Sequence, residues 1–238
     1  MNILLTICFR KGSKRLPGKN VKDFCGKPLW EWTYENAIYF KNYIYNSHKV
    51  DIAVCTDENI DVSEKIHRPK EISGDKIPKL DTIRYAYNYI ENQNNKKYHC
   101  VIDLDVTAPL RFVGQIEDAL DVFIKEERLS LFSVVPSRRN PEFNQVKLYT
   151  PIFGDKYYVN TVNGHNKSYK FEYYDLNASI YVYSSEYLKS NTNESPINFD
   201  GMSSIYVMKD WQFIDIDRQL DWDIAEMLFK KYILGDKS

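Results

Sequence analysis

Two groups of residues in this 238-residue chain have the types and spacing to do chemistry. The first is the loop Arg10–Asn20, RKGSKRLPGKN, which packs five cations into eleven residues. Cations, the Ser13 hydroxyl and backbone N–H groups brought close by Gly12 and Gly18 can together hold a polyphosphate. It is not a Walker A loop, because five residues separate Gly12 from Gly18 and Asn20 replaces the required Ser or Thr. A solvated charged loop is the plain alternative. The second group is Asp215-Ile216-Asp217. In an extended segment, positions i and i+2 face the same side. Two carboxylates so placed repel unless a cation joins them. Mg²⁺ suits such a pair, since it takes one or two carboxylates plus substrate phosphates. The alternative is that Asp217 caps the following helix. Asp103 and Asp105 repeat the spacing in CVIDLDVT. Asp105, at the strand's edge, is the better ligand candidate. Asp103 needs hydrogen bonds or a cation such as Arg111 to be tolerated in a central strand.

The elements that must position these groups are legible as periodicity. ILLTICF (3–9) is a continuous apolar run of strand length, as in a parallel sheet buried on both faces. Further strands are expected at 50–55, 100–105, 131–136, 178–183, 205–208 and 213–217. Helices are expected with Leu29, Trp32, Asn36/Ala37 and Phe40 on one face, over 79–92, with Val113, Ile116, Leu120 and Phe123 inward, and at the end with Ile224, Leu228 and Tyr232 inward. Strand–helix–strand alternation implies right-handed βαβ units. The basic loop then lies at the carboxyl end of the first strand, where ligands of open α/β sheets bind. From 138 to 174 the chain turns polar and aromatic, with short β-like runs and an Asn163-Gly164 turn. This reads as an antiparallel insertion in one domain spanning 1–238.

Composition excludes several classes. Basic and acidic residues number 32 and 33, so a general nucleic-acid binder, which needs a basic surplus, is not expected. The first apolar run is too short to span a membrane. Four scattered cysteines form no C-x-x-C pair and read as buried thiols in a reducing compartment, the cytoplasm.

Taken together, these segments resemble the acylneuraminate cytidylyltransferases (CMP-sialic acid synthetases). TICFRKGSKRLPGKN is similar to the family pattern A-R-x-G-S-K-x-x-x-x-K-N, with Phe9 replacing Ala and Lys11 a common Gly. Asp105–Arg111 resembles Q-P-T-S-P-L-R, Asn177–Tyr181 resembles N-G-A-I-Y, and Ile214–Asp217 matches I-D-I-D. The resemblance implies a Rossmann-like α/β nucleotidyltransferase sheet with helices on both faces and a β-rich dimerisation segment at about 138–174, hence a homodimer. It implies that CTP and a nine-carbon α-keto acid sugar give a CMP-sugar and pyrophosphate. By it, Phe9, Arg10, Ser13, Lys19, Asn20, Arg68 and Lys79 bind the nucleotide. Arg10 and Lys19 also serve catalysis with Asp215 and Asp217, the Mg²⁺ ligands.

The departures bear on the sugar. Asp105 stands where sialic acid synthetases have Gln, and Asp175 where an Arg is common. An acid replacing a cation beside a sugar pocket implies a different sugar. The motifs look most like the bacterial legionaminic acid subgroup, with sialic and pseudaminic acids as alternatives. Sugar-binding candidates are Asp105, Thr107, Arg138, Arg139, Lys167, Asp175 and Asn177. Asp105 is also a candidate third metal ligand. Outside enzymes, the competing reading is a silent nucleotide-binding module; an intact basic loop and acidic pair weigh against it.

Overall fold

A computed structural model describes residues 1–44, 48–141, 144–149, 158–161, 172–190 and 203–235. Its strands are β1 (Asn2–Cys8), β2 (Asp23–Phe24), β3 (Lys27–Pro28), β4 (Lys49–Thr56), β5 (Lys65–His67), β6 (Cys100–Leu104), β7 (Ser130–Pro136), β8 (Val146–Tyr149), β9 (Tyr158–Thr161), β10 (Tyr174–Ser184) and β11 (Ser203–Val207). Its α-helices are α1 (Leu29–Tyr39), α2 (Lys79–Gln93), α3 (Val113–Glu126), α4 (Ser185–Lys189) and α5 (Gln219–Tyr232). Seven strands form the main sheet in the order β11-β7-β10-β6-β1-β4-β5. Only β10 runs against its neighbours, between β6 and β7. The expected α/β sheet is therefore present. β8 and β9 form a separate antiparallel pair within the stretch read as an insertion.

The sheet's two faces are filled by alternate residues. Ile3, Leu5 and Ile7 of β1, with Cys100, Ile102 and Leu104 of β6, join a core covered by α1, α3 and α5. Leu4 and Cys8, with Val101, face the opposite way and pack under α2 and α4. Each fully buried aliphatic side chain contributes about 1.5–3 kcal/mol, so this doubly covered sheet accounts for the unbroken apolar run of β1. The parity has one consequence for the site. Thr6 and Asp103 fall on the α2 face, and both are fully buried.

Some expectations are corrected. Residues 213–217 form no strand; the segment passes the sheet's carboxyl edge, tied by the Ile216 N–H donating to the Thr107 carbonyl at 2.8 Å. The alternation still holds, with Ile214 and Ile216 buried and Asp215 and Asp217 turned outward. In α5 the inward face is Trp222, Ala225 and Phe229, one residue out of phase with the expected set. Tyr232 is exposed and stacks on Trp211. In α1, Trp30 and Thr33 are buried while Trp32 is half-buried, its indole N–H donating to the Phe24 carbonyl. All four cysteines are free thiols, but Cys25 is only half-buried. Among the described residues no helix is long and apolar enough to cross a membrane.

Candidate active site

A cleft of about 470 Å³ opens at the carboxyl ends of β1, β5 and β6. Every residue expected to bind the nucleotide lines it: Phe9, Arg10, Ser13, Lys19, Asn20, Arg68 and Lys79. Asp105, Thr107 and Asp217 line it too. The basic loop is held in shape locally. The Lys11 N–H donates to the Asp57 carboxylate just past β4, at 2.7 Å. Leu16 is buried, and Gly18 takes a φ of +68°, a left-handed turn that glycine adopts without strain. The Gly18 carbonyl accepts from the N–H groups of Val21 and Lys22, both at 3.0 Å.

The cations of the loop rest on carboxylates. Arg10 and Lys14 both pair with Asp75 and hold its carboxyl below the usual range. Arg15 and Lys19 both pair with Asp217, at 2.9 and 3.2 Å. Lys19 is buried and also donates to the Ile216 carbonyl, so it ties the basic loop to the acidic segment. Phosphate oxygens entering the cleft would compete for these same donors. Arg68 is buried, its guanidinium donating to the Ile72 carbonyl at 3.0 and 2.6 Å; burial lowers its pKa. The Asn20 amide donates to the Arg10 carbonyl, while its Oδ1 is buried without a hydrogen-bond partner.

The acidic groups meet through Thr107. Its hydroxyl lies 2.6 Å from Asp215 Oδ1 and 3.0 Å from Asp105 Oδ1. One hydroxyl carries one proton, so it cannot serve both carboxylates. Crowding by the protein, then the charge of Asp105, raises the Asp215 carboxyl pKa. Asp215 depends on the shared Thr107 hydroxyl, while the Asp217 oxygens rest on Lys19 and Arg15. With those cations drawn to phosphates, the two carboxylates would suit a hard divalent cation bound through oxygen. Among the described residues, no three His, Cys, Asp or Glu side chains converge as a metal cage. A two-carboxylate site leaves its other positions to substrate oxygens and water.

Asp103 and Asp105 are held differently from the expectation. Arg111 does not pair with Asp103. It is buried and donates instead to the Ser179 carbonyl, to Thr33 Oγ1 at 2.7 Å and to the Asp105 carbonyl at 2.5 Å. The cation on Asp103 is Lys79, at the first turn of α2, which packs on the face where Asp103 points. Lys79 Nζ lies 2.7 Å from Asp103 Oδ2 and 2.6 Å from Asp105 Oδ2. Thr6 Oγ1 donates to Asp103 Oδ1 at 2.8 Å. Burial raises the pKa of Asp103. For Asp105, burial is outweighed by Lys79 and the Thr107 bonds, which lower it.

The remaining sugar-site candidates do not converge on this cleft. Asn177 is fully buried; its Oδ1 accepts from Ser133 Oγ at 2.6 Å and its amide donates to the Gln212 carbonyl at 3.0 Å. Asp175 is exposed, 2.8 Å from Ser137 Oγ. Arg138 is exposed, 3.9 Å from Asp210, with its guanidinium over the Phe213 ring. Arg139 is exposed beside Ser137. Lys167 and the Asn163-Gly164 turn lie outside the described residues. Sequence reasoning missed Asp75, whose signal was its place seven residues after Arg68 in a run punctuated by Gly74.

The model of the cytidylyltransferase family matches residues 5–214. A CMP-N,N′-diacetyllegionaminic acid synthase of Campylobacter jejuni is 30% identical, over 99% of this chain and 98% of the relative. A pseudaminic acid cytidylyltransferase of the same species is 29% identical, over 97% of each. The N-acylneuraminate cytidylyltransferase A of Danio rerio is 26% identical, over 94% of this chain and 50% of the relative. A solved CMP:2-keto-3-deoxy-manno-octonic acid synthetase complexed with CTP shares the fold, with a TM-score of 0.67 at 18% identity, covering 97% of this chain and 99% of the other. The chain belongs to the cytidylyltransferase family and, with its acylneuraminate-type motifs, is a CTP-dependent nucleotidyltransferase.

Proposed function

We propose that this enzyme activates a nonulosonic acid of the legionaminic type, giving the CMP-sugar and pyrophosphate. The observation that carries the reading is Lys19, buried at one point where the basic loop meets Ile216 and Asp217. A triphosphate on the loop would then lie beside the acidic pair. Asp215 and Asp217 would hold Mg²⁺. Bound there, it would neutralise phosphate charge and make the sugar hydroxyl more acidic. The anomeric hydroxyl attacks the α-phosphorus in line, an O–P bond forms, the bond to pyrophosphate breaks, and the hydroxyl proton passes to water. Such transfer depends on positioning and charge neutralisation rather than covalent chemistry. Arg10 and Lys19 exchange their carboxylate partners for phosphate oxygens and offset the charge that develops on the leaving group.

The legionaminic preference rests on the motif resemblance and on Asp105, which lines the cleft, since Asp175 lies exposed outside it; the C. jejuni relatives named for legionaminic and pseudaminic acids are nearly equal in identity. A homodimer through the segment at about 138–174 and a cytoplasmic location accompany the reading. The test is pyrophosphate release from CTP with legionaminic, sialic and pseudaminic acids in turn. Legionaminic acid should give the highest kcat/KM. Preference for either other acid overturns the subgroup reading. Asp215→Ala should abolish turnover, and chelation should abolish wild-type turnover until Mg²⁺ is restored. Full activity in either case removes the metal from the reading.

A further inference from the structure

We propose that Lys79 is a positioning residue that acts through Asp105, neutralising the floor of the cleft so that Asp215 and Asp217, not Asp105, take the cation. The inference rests on the CTP–Mg²⁺ reading above. It departs from the family resemblance, in which Lys79 touches the nucleotide directly.

The argument starts from donors and acceptors. An ammonium has three N–H donors. One of those on Lys79 goes to Asp105 Oδ2 at 2.6 Å, and the same ammonium is ion-paired with the buried Asp103 Oδ2 at 2.7 Å. The Tyr181 ring lies 5.7 Å from the same nitrogen. Little of the group is left for a phosphate. Asp105 is equally committed: Oδ2 meets Lys79, and Oδ1 accepts from the Thr107 N–H at 3.1 Å. Asp217 also has both oxygens paired, with Arg15 and Lys19, but those are loop cations that phosphates would draw away. The Lys79 and Thr107 bonds stay on Asp105 and leave it the poorer ligand for an incoming cation. The Thr107 hydroxyl is thereby freed for Asp215, its nearer partner. Charge closes the argument. The buried Asp103 and half-buried Asp105 carboxylates face one ammonium, with the buried Arg111 guanidinium on the Asp105 carbonyl as the second cation. The floor is balanced, and the outward negative charge is confined to the acidic segment.

Without Lys79, Asp105 would present an uncompensated carboxylate to the triphosphate and compete for the cation. The test compares wild type, K79M, D105N and K79M/D105N. CTP binding is measured by calorimetry across a Mg²⁺ series, and kcat and KM from pyrophosphate release. An unbalanced charge within several ångströms of bound phosphates, at an intermediate dielectric, weakens CTP binding by about tenfold or more. K79M should show that loss, chiefly in KM and with a raised Mg²⁺ requirement. D105N in the K79M background should restore affinity to within about threefold of wild type, a coupling that double-mutant cycles read directly. A double variant no better than K79M overturns the proposal, because Lys79 then contacts the nucleotide itself.

D105N alone covers the case in which K79M does not fold. It removes a negative charge and should bind CTP as tightly as wild type or tighter. A tenfold weakening would show that the Asp105 carboxylate itself holds the metal or substrate. Because binding is read without a sugar, a wild type that binds CTP yet turns over no acid would sink the proposed function and leave this test intact.

Discussion

Ala178 offers the sharpest test of how the backbone builds this site. It has a φ of +54°, in the left-handed region, where the resembling motif carries Gly. The residue sits in the register shift of β10 between Leu176 and Tyr181. That irregularity accompanies a buried Asn177, whose amide holds the Gln212 carbonyl. Gln212 in turn exchanges two amide hydrogen bonds with Gln115, at 2.9 and 2.7 Å, and donates to the Leu110 carbonyl. The 3₁₀ turn Asp210–Gln212 leads directly into the segment carrying Asp215 and Asp217. A non-glycine residue in the left-handed region costs about 1–2 kcal/mol. Ala178→Gly relieves that cost but gives back about 0.4–1 kcal/mol as greater freedom of the unfolded chain. The net is a stabilisation of about 0.5–1 kcal/mol, or roughly 1–4 °C in Tm for a chain of this size. Ala178→Val should move the other way, since a β-branched residue fits poorly at positive φ. Thermal and urea unfolding of the two variants are the assay. A lower midpoint for A178G together with a tolerated A178V would refute the left-handed bulge and the route by which Asn177 reaches Gln212.

Other outcomes follow from the same geometry. Lys19→Met removes the cation that joins the loop to Asp217, and kcat/KM for CTP should fall by about 10²–10³, the usual scale for a lost charge-stabilising donor; a change below tenfold would mean the phosphates lie elsewhere. Arg111→Met leaves the Ser179 and Asp105 carbonyls with only longer contacts, to the Asp105 N–H at 3.3 Å and the Thr33 hydroxyl at 3.4 Å, and leaves Lys79 to face Asp103 and Asp105 without a second cation. It should cost about 3–5 kcal/mol, read as a lower urea midpoint, and near-wild-type stability would argue against its buried role. Away from the site, Asp51 accepts from Lys96 at 2.6 Å and Tyr98 at 2.5 Å, and these bonds outweigh burial and hold its carboxyl below the ordinary value. A lowered folded-state pKa adds stability above the unfolded value, and that stability is lost as pH falls through the folded one. Asp51→Asn should therefore be less stable than wild type at neutral pH and converge with it in strong acid; a gap independent of pH would refute the assignment.

The cationic half of the cleft was legible in the sequence because its parts are local. A buried strand followed by a glycine-punctuated cationic loop fixes the place, and Phe9, Arg10, Ser13, Lys14, Arg15, Lys19 and Asn20 line one cleft. Asp215 and Asp217 were legible for a similar reason: alternation with Ile214 and Ile216 points both carboxylates outward even though no strand forms. The doubly covered sheet follows from unbroken apolar runs, whose residues must be buried on both faces.

What the sequence left open depends on which residues, far apart in the chain, become neighbours. Asp103 and Arg111 are close in sequence, yet strand parity turns Asp103 to the α2 face, and Lys79 arrives there from 24 residues away. Asn177 looked available for a sugar, but the register shift in β10 buries it against Ser133 and Gln212. The phase of α5 was misread because several one-residue rotations of its pattern offer an apolar stripe. Packing against Phe24 and Trp32 selects Trp222 and Phe229. Residue type and short spacing determine which chemistry this chain can perform. The tertiary structure decides which charges neutralise one another and which remain free, because burial and pairing are properties of neighbours that no local stretch of sequence contains.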